Sequence, residues 1–205
     1  MIYTDIFRFL TGVMDYRKIY TNTFSNKSYG AEHHVQYNWV IEKLKKKYSS
    51  NDTFTLIDVG SGRGHMLKMI HKYFPNAVIT SVDLNNFHKL DFVNFFIKCD
   101  ITSLDDRNNL LKNKYDVLIN LDFLEHIEEK YIDIILETFH NLSPYCIISI
   151  ANHSDCFDGI ELHLIQKNNK WWKNKLEQKY SIISFNDNGK DTLYFYEVIS
   201  KKLSL

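Results

Sequence analysis

Short apolar runs alternate with amphipathic segments from residue 54 onward. The apolar runs predict strands at residues 54–59, 77–82, 95–99, 115–120 and 146–151, and helical periodicity is clearest at residues 65–74 and 123–140. This alternation is typical of parallel strands joined by right-handed crossovers, with helices on both faces of the sheet. Residues 180–185 and 192–200 are rich in β-forming residues and flank NDNGKD, which contains an Asn-Gly turn signal. We therefore expect an α/β fold whose parallel sheet is closed by an antiparallel hairpin.

The first 48 residues have helical periodicity in two stretches, separated by the polar segment 21–34. One apolar face contains Ile2, Ile6, Phe9 and Val13, and the other contains Tyr37, Val40, Ile41, Leu44 and Tyr48. We expect two cap helices, the second ending at Lys45, Lys46 and Lys47, where positive charge suits the helix dipole. Segment 21–34, with Tyr29, His33 and His34, predicts a mobile loop that closes over a ligand crevice.

Composition restricts the classes of protein that the chain can belong to. With 205 residues, 25 basic and 25 acidic, the sequence favours one domain and gives no sign of a nucleic-acid or membrane surface. No stretch reaches the roughly 18 apolar residues that span a bilayer, and residues 1–20 lack a signal-peptide pattern. The sequence therefore predicts a soluble, cytoplasmic protein.

The stretch LIDVGSGRGHML, residues 56–67, runs from a predicted strand through three glycines into a predicted helix. Such a turn places backbone N–H groups at the crevice where open α/β sheets bind ligands. Asp83, at the end of the second strand, has the spacing of an acid that accepts hydrogen bonds from ribose. The alternative is a tight turn that needs glycine for its dihedral angles alone. The third glycine of the dinucleotide fingerprint is replaced by His65, and no Gly-Lys-Ser/Thr follows, so neither NAD nor nucleotide phosphates are favoured.

What remains, an acid followed by G-x-G-x-G, resembles motif I of the class I S-adenosylmethionine (SAM)-dependent methyltransferases. KCDIT at residues 98–102, YDVLINLDFLEHI at 115–127 and LSPYCIISIANH at 142–153 resemble the segments that follow the third strand, form the fourth and form the fifth in that family. The resemblance implies SAM as cofactor and a doubly wound, mostly parallel sheet of seven strands. It also implies one domain, with a helical cap (1–50), a SAM-binding core (54–153), a substrate-side insertion (154–179) and a terminal hairpin (180–201). The cofactor-binding residues implied by the resemblance are Asp58, Gly60, Ser61, Gly62, Gly64, Asp83, Leu84, Asp100, Ile101, Asn120 and Leu121.

Three histidines near the expected methyl group are candidates for a general base, because an unperturbed imidazole titrates near pH 6.5. His126 follows the fourth strand, His153 follows the fifth, and His163 lies in GIELHLIQ. The surrounding segment 151–172 is read as a substrate lid, or as an ordinary loop leading to a helix whose tryptophans pack on the sheet. A metal site is a further alternative for this segment, but no two of its histidines have the i, i+4 spacing, so we expect no metal.

The acceptor is the least determined feature of the sequence. Asn120-Leu121-Asp122-Phe123 lacks the Asp/Asn-Pro-Pro-aromatic pattern of enzymes that methylate the exocyclic amines of bases. Together with the neutral charge, this favours O-methylation of a small polar molecule such as a sugar or glycan precursor. Methylation of RNA or protein, and a non-catalytic subunit with the SAM fold, are the alternatives.

Overall fold

The computed structural model describes residues 15–25 and 34–201. The chain divides into two compact units, Met1–Ala31 and Glu32–Leu205. In the first unit, helix α1 spans Tyr16–Ser25. The predicted loop is thus wrong at residues 21–25, which are helical, and at His34, which begins the next helix. Some predicted features lie outside the described residues: the apolar face of residues 2–13 and the loop residues Tyr29 and His33. The single-domain organisation stays a prediction.

A seven-stranded sheet organises the described part of the second unit, in the order β3-β2-β1-β4-β5-β9-β8. Its strands are β1 (Thr55–Val59), β2 (Val78–Asp83), β3 (Phe95–Lys98), β4 (Val117–Leu121), β5 (Tyr145–Ala151), β8 (Tyr180–Asp187) and β9 (Leu193–Ser200). The first five are parallel, whereas β9 pairs antiparallel with both β5 and β8. The predicted fold class and terminal hairpin are confirmed. A separate short hairpin is formed by β6 (Cys156–Phe157) and β7 (Ile160–Glu161).

Helices cover the sheet: α2 (His34–Lys47), α3 (His65–Tyr73), α4 (Leu104–Leu110), α5 (Ile132–Leu142) and α6 (Asn169–Leu176). The predicted helix at 123–140 is wrong in its first half. Two 3-10 turns, Leu124–His126 and Glu129–Tyr131, precede α5, because the backbone is extended at the intervening Ile127 and Glu128. The predicted apolar face therefore shifts, and Ile134 is 42% exposed.

Two apolar clusters lie on the two faces of the sheet. One includes the buried side chains of α5 and Trp172 of α6, and the other packs α2 and α3 against β1 and β4. All seven residues of β5 are buried, as expected of a central strand that is covered on both faces. This packing fixes the carboxyl ends of β1, β2, β4 and β5 along one edge of the sheet. Among the described residues, no helix has the length and apolarity needed to cross a membrane.

Candidate active site

The glycine turn follows β1 and folds back on the end of β2. The N–H groups of Gly60 and Ser61 donate to the carbonyl oxygen of Val82 at 2.8 and 3.2 Å, and the N–H of Gly64 donates to the carbonyl of Ser61 at 2.9 Å. The N–H of Gly62 donates to a carboxylate oxygen of Asp83. The expectation of bare N–H groups is therefore wrong at Gly60, Ser61, Gly62 and Gly64. A turn whose donors are already satisfied is poorly suited to cradling a phosphate, which agrees with the absence of a nucleotide-phosphate motif.

The three glycines have structural reasons of their own. Gly60, Gly62 and Gly64 have φ angles of 79°, 51° and 69°, in the region that side chains disfavour. A Cβ atom at Gly60 would lie 2.3 Å from Cδ2 of Phe123, and one at Gly64 would lie 2.6 Å from Cδ1 of Leu90. Backbone conformation and neighbouring side chains thus require glycine at these positions, so the glycines alone do not identify a ligand.

A short chain of buried hydroxyl and imidazole groups also holds the turn. The Oγ atoms of Ser61 and Ser81 are 2.7 Å apart, and Oγ of Ser81 is 2.8 Å from Nε2 of His88. Ser81 lies in β2, directly opposite Asp58 of β1. The side chain of Ser61 therefore anchors the turn to the neighbouring strand.

Two carboxyl groups, of buried Asp58 and half-buried Asp83, stand at this edge of the sheet. Oδ2 of Asp83 accepts the N–H of Gly62 at 2.8 Å, and Oδ1 accepts the N–H of half-buried Leu84 at 2.7 Å. Burial raises the pKa of Asp83 to about 6, against the lowering effect of these hydrogen bonds. Burial, followed by the charge of Asp83, raises the pKa of Asp58 to about 8. Such a pair favours a cationic ligand, and SAM carries both a sulfonium and an ammonium group.

The end of β4, the strand that pairs with β1, provides a further buried acceptor. Nδ2 of Asn120 donates to the carbonyl of Val59 at 2.7 Å. Its Oδ1 is buried and has no hydrogen-bond partner among the residues that the structure describes. Leu121 follows as the half-buried last residue of the strand. An orphaned buried oxygen at this edge is a position for a donor group of a ligand.

The segment after β3 is more strongly engaged within the protein than the sequence indicates. Oδ1 of Asp100 accepts the N–H and the hydroxyl of Thr102 at 2.9 and 2.7 Å. Ile101 is buried, and its carbonyl oxygen accepts a hydrogen bond from Nη1 of Arg107 at 2.8 Å. One oxygen of Asp100 therefore shapes the turn that places Ile101 at the edge of the sheet.

Beyond β4, the chain enters a turn that the sequence analysis did not identify as functional. Asp122 has a φ angle of 47°, which is rare for a residue with a side chain. Its two carboxylate oxygens each lie 2.6 Å from Nε2 of Gln36, and Oγ of Ser149 donates to Oδ1 at 3.1 Å. These contacts from α2 and β5 hold the unusual backbone conformation, of a kind that concentrates at functional sites.

Glu125 is fully buried one turn further on. Its Oε1 accepts the N–H of Ala151, the last residue of β5, at 2.8 Å. Burial, and next the charge of Asp122, raises the pKa of Glu125 well above its usual range. Two acids three residues apart, Asp122 and Glu125, were the sequence signal that could have identified this site. Helical periodicity instead predicted that Glu125 lies in the first turn of an ordinary helix.

The structure brings the three candidate histidines together. The ring centroids of His126 and His163 are 4.6 Å apart, and those of His153 and His163 are 4.9 Å apart. His153 is exposed and His163 is buried, with its Nε2 3.9 Å from Oδ2 of Asp155. The ring of His126 keeps some exposure, yet burial, and next the neighbouring His163, lowers its pKa to about 3. His126 and His163 also lie close enough to Glu125 to share a metal ion.

Comparison with known proteins agrees with this geometry. A family model described as "Methyltransferase domain" matches residues 31–187. No curated protein matches the sequence significantly.

Solved structures of methyltransferases share the fold at low sequence identity. Magnesium protoporphyrin IX methyltransferase from Synechocystis PCC 6803, with bound SAM, is 16% identical with a TM-score of 0.66, over 92% of this chain and 99% of that one. The N-methyltransferase NodS from Bradyrhizobium japonicum WM9, in complex with S-adenosylhomocysteine, is 6% identical with a TM-score of 0.66, over 92% and 100% of the two chains. The 1,6-didemethyltoxoflavin-N1-methyltransferase from Burkholderia thailandensis is 15% identical with a TM-score of 0.58, over 97% and 88%.

The family model covers most of the chain, and the mostly parallel sheet with its reversed last strand is the architecture that the sequence resemblance implied. The chain belongs to the methyltransferase domain family of class I SAM-dependent methyltransferases.

Proposed function

We propose that this methyltransferase transfers the methyl group of SAM to a hydroxyl oxygen of a small polar acceptor such as a sugar. The proposal rests on one observation: the candidate cofactor-binding residues and the candidate base lie along the same edge of the sheet. Asp58 and Asp83 stand at the ends of β1 and β2, and the chain passes directly from Asn120 in β4 to the turn that contains His126. A site for a cationic methyl donor thus adjoins a cluster of imidazoles.

On the cofactor side, the carboxyl groups have roles that match the chemistry of SAM. Asp83 accepts hydrogen bonds from the ribose hydroxyls, and Asp58 attracts the positively charged methionine moiety. The unpartnered oxygen of Asn120 accepts from the ammonium group. Asp100 and Ile101 contact the adenine, as the resemblance implies.

On the acceptor side, the protein must orient a hydroxyl and remove its proton. When bound, SAM supplies the methyl group: a lone pair of the acceptor oxygen forms the new C–O bond as the C–S bond breaks, and its electron pair goes to sulfur. The imidazole of a histidine takes the hydroxyl proton, so that the methylated product is a neutral ether. Alignment of the two reactants provides much of the acceleration in such a displacement.

His153 is the base that we favour among the three histidines. Its Nδ1 lies 3.0 Å from the carbonyl oxygen of Ser154, which identifies Nδ1 as the protonated nitrogen and leaves the lone pair on Nε2. The ring is exposed and can therefore meet an acceptor that enters from solvent. His126, with its pKa lowered to about 3, is a weak base at neutral pH.

A small acceptor is favoured by two observations. The balanced charge of the chain offers no electrostatic attraction to nucleic acid. NodS is an N-methyltransferase by name, and the toxoflavin enzyme is named for a small heterocyclic acceptor. Methylation of RNA or protein is the alternative.

Radiolabelled SAM with panels of sugar nucleotides, phosphorylated metabolites, total RNA and protein extract tests the acceptor class. We expect the label in a small molecule. The new methyl group of that product should be bonded to oxygen, as a methyl ether. Label in RNA or protein alone would contradict the proposal. With the acceptor identified, His153→Ala should lower kcat about 10²–10⁴-fold, the scale of a lost general base. SAM affinity should stay unchanged, and normal turnover of this variant would remove His153 from the mechanism.

A further inference from the structure

We propose that Glu125, His126 and His163 bind one divalent first-row transition-metal ion. Each of the three offers one ligand atom, and the three atoms lie within 4.8 Å of one another. Binding of the ion stands independently of the methyl transfer described above, whereas its role in catalysis rests on that proposed function.

Both imidazoles are arranged as metal-ligating histidines usually are. Nδ1 of His126 donates to the carbonyl of Leu162 at 3.0 Å, and Nδ1 of His163 donates to the carbonyl of His153 at 2.6 Å. A backbone carbonyl that accepts from one ring nitrogen fixes the tautomer and directs the lone pair to the other nitrogen. Nε2 is thus the ligand atom of both histidines.

Glu125 contributes a second, independent observation. Its side chain is fully buried, and Oε1 is held by the N–H of Ala151. Oε2 has no hydrogen-bond partner within the described part of the chain. A buried carboxylate oxygen without a partner is costly unless a cation or another group occupies the position next to it. A metal ion shared with the two imidazoles meets that requirement.

The ligand set indicates the class of ion. Two imidazole nitrogens and one carboxylate suit zinc, iron or cobalt, whereas calcium and magnesium prefer oxygen ligands throughout. Asp155, 3.9 Å from Nε2 of His163, adds negative charge beside the site. Three protein ligands also leave a coordination position open, which is typical of catalytic rather than structural zinc sites.

An acceptor hydroxyl fits that open position. Coordination to a divalent ion lowers the pKa of a bound oxygen acid, so that proton transfer to His153 becomes easier. The ion would also orient the oxygen for displacement. The site therefore favours an acceptor with a hydroxyl group over one with a protonated amine, which cannot coordinate a metal.

The test is direct metal binding, without SAM or acceptor. We expect chelator-treated protein titrated with Co²⁺ to bind one ion per chain, with visible d–d absorption, and Zn²⁺ to displace it. Mg²⁺ should not compete. Glu125→Gln, His126→Ala and His163→Ala should each weaken Co²⁺ binding at least 10-fold, the usual scale for damage to a metal site. Circular dichroism confirms that each variant is folded, and His163→Gln replaces His163→Ala if the latter is not.

Two imidazole controls distinguish this site from adventitious binding. His153→Ala removes the neighbouring ring, and His71→Ala removes a ring from α3; both should bind Co²⁺ as the wild type does. Absence of stoichiometric Co²⁺ and Zn²⁺ binding by the wild type would overturn the proposal, as would undiminished binding by the three ligand variants. Loss of binding in the controls would also overturn it. SAM calorimetry on the same samples separates the two proposals, since a protein that binds Co²⁺ but not SAM contradicts only the proposed function.

Discussion

The N–H of Gly62 donates to Oδ2 of Asp83 at 2.8 Å. The carboxylate to which the family resemblance assigns ribose binding therefore also holds the glycine turn against the end of β2. Substitution of Asp83 should therefore change both the fold of the turn and the affinity for SAM, and an amide, which keeps one acceptor oxygen, should separate the two effects in part.

We predict that Asp83→Asn keeps the turn but weakens SAM binding. The amide oxygen still accepts the N–H of Gly62, although the N–H of Leu84, which Oδ1 of Asp83 accepts, then loses its acceptor. The hydrogen bonds to ribose lose their charge, at a cost of about 1–3 kcal/mol of binding free energy. Asp83→Ala loses both and should lower the unfolding free energy by about 1–3 kcal/mol as well, because the N–H of Gly62 loses its acceptor. SAM calorimetry and urea denaturation of both variants measure these effects. Wild-type affinity in both would place the cofactor elsewhere.

Gly64→Ala should destabilise the protein more than Gly189→Ala. The φ angles of the two glycines are similar, 69° and 71°, so both substitutions incur a backbone strain of about 1–2 kcal/mol. A Cβ at Gly189 meets nothing within 4 Å, whereas one at Gly64 lies 2.6 Å from Cδ1 of Leu90. The difference in unfolding free energy between the two variants measures the steric part, and Leu90→Ala in the Gly64→Ala background should reduce it. Equal destabilisation by the two single variants would show that the dihedral angle alone requires Gly64.

In the ligand-free protein, the stability that Asp58 and Asp83 contribute should decrease as pH rises. The pKa values of Asp58 and Asp83 are raised to about 8 and about 6, so the folded state keeps protons that the unfolded chain loses near pH 4. Their contribution is complete below pH 4 and is lost progressively up to about pH 8. Asp58→Asn should flatten this decrease, measured as unfolding free energy from pH 5 to 8. SAM affinity should have the opposite dependence, because a cation binds the ionised carboxylates better. A parallel pH dependence of wild type and variant would contradict the assignment.

The two adjacent tryptophans should respond differently to truncation. Trp172 is fully buried in the cluster beside α5, so Trp172→Ala should cost about 3–5 kcal/mol of unfolding free energy. Trp171 is half-buried, with its ring 4.7 Å from that of Trp172, and Trp171→Ala should cost less than half as much. Thermal and urea denaturation measure both. Comparable losses would mean that Trp171 packs more closely than its exposure indicates.

The positions of the central strands followed from the sequence because burial dominates them. β5, with seven buried residues, is apolar almost throughout, and such a run has few alternatives to a central strand. The prediction of a continuous helix over residues 123–131 was wrong for the opposite reason. Leu124, Ile127 and Tyr131 have helical spacing, but the positive φ angle of Asp122 and the buried carboxyl group of Glu125 override it.

The candidate histidines were found individually, whereas their grouping required the structure. The i, i+4 spacing that speaks against a metal applies only to the segment that contains His153 and His163, and His126 lies outside that segment. The structure places His126 beside them because the chain returns over the preceding turn, where the N–H of Ile165 donates to the carbonyl of Glu125 at 3.0 Å. A long-range contact of this kind leaves no periodic signal in the sequence. Whether these histidines act in catalysis or in metal binding stays a prediction.

The hydrogen bonds within the glycine turn also affect how fast a ligand can bind there. Because Gly60, Ser61, Gly62 and Gly64 already have partners for their N–H groups, the conformational entropy of ordering this segment is lost during folding. A ligand that meets a preorganised turn does not incur that loss again, so more of its contact energy appears as affinity. Association at this part of the crevice is then limited by diffusion and desolvation, and the turn acts as a fixed wall against which any slower closing motion takes place.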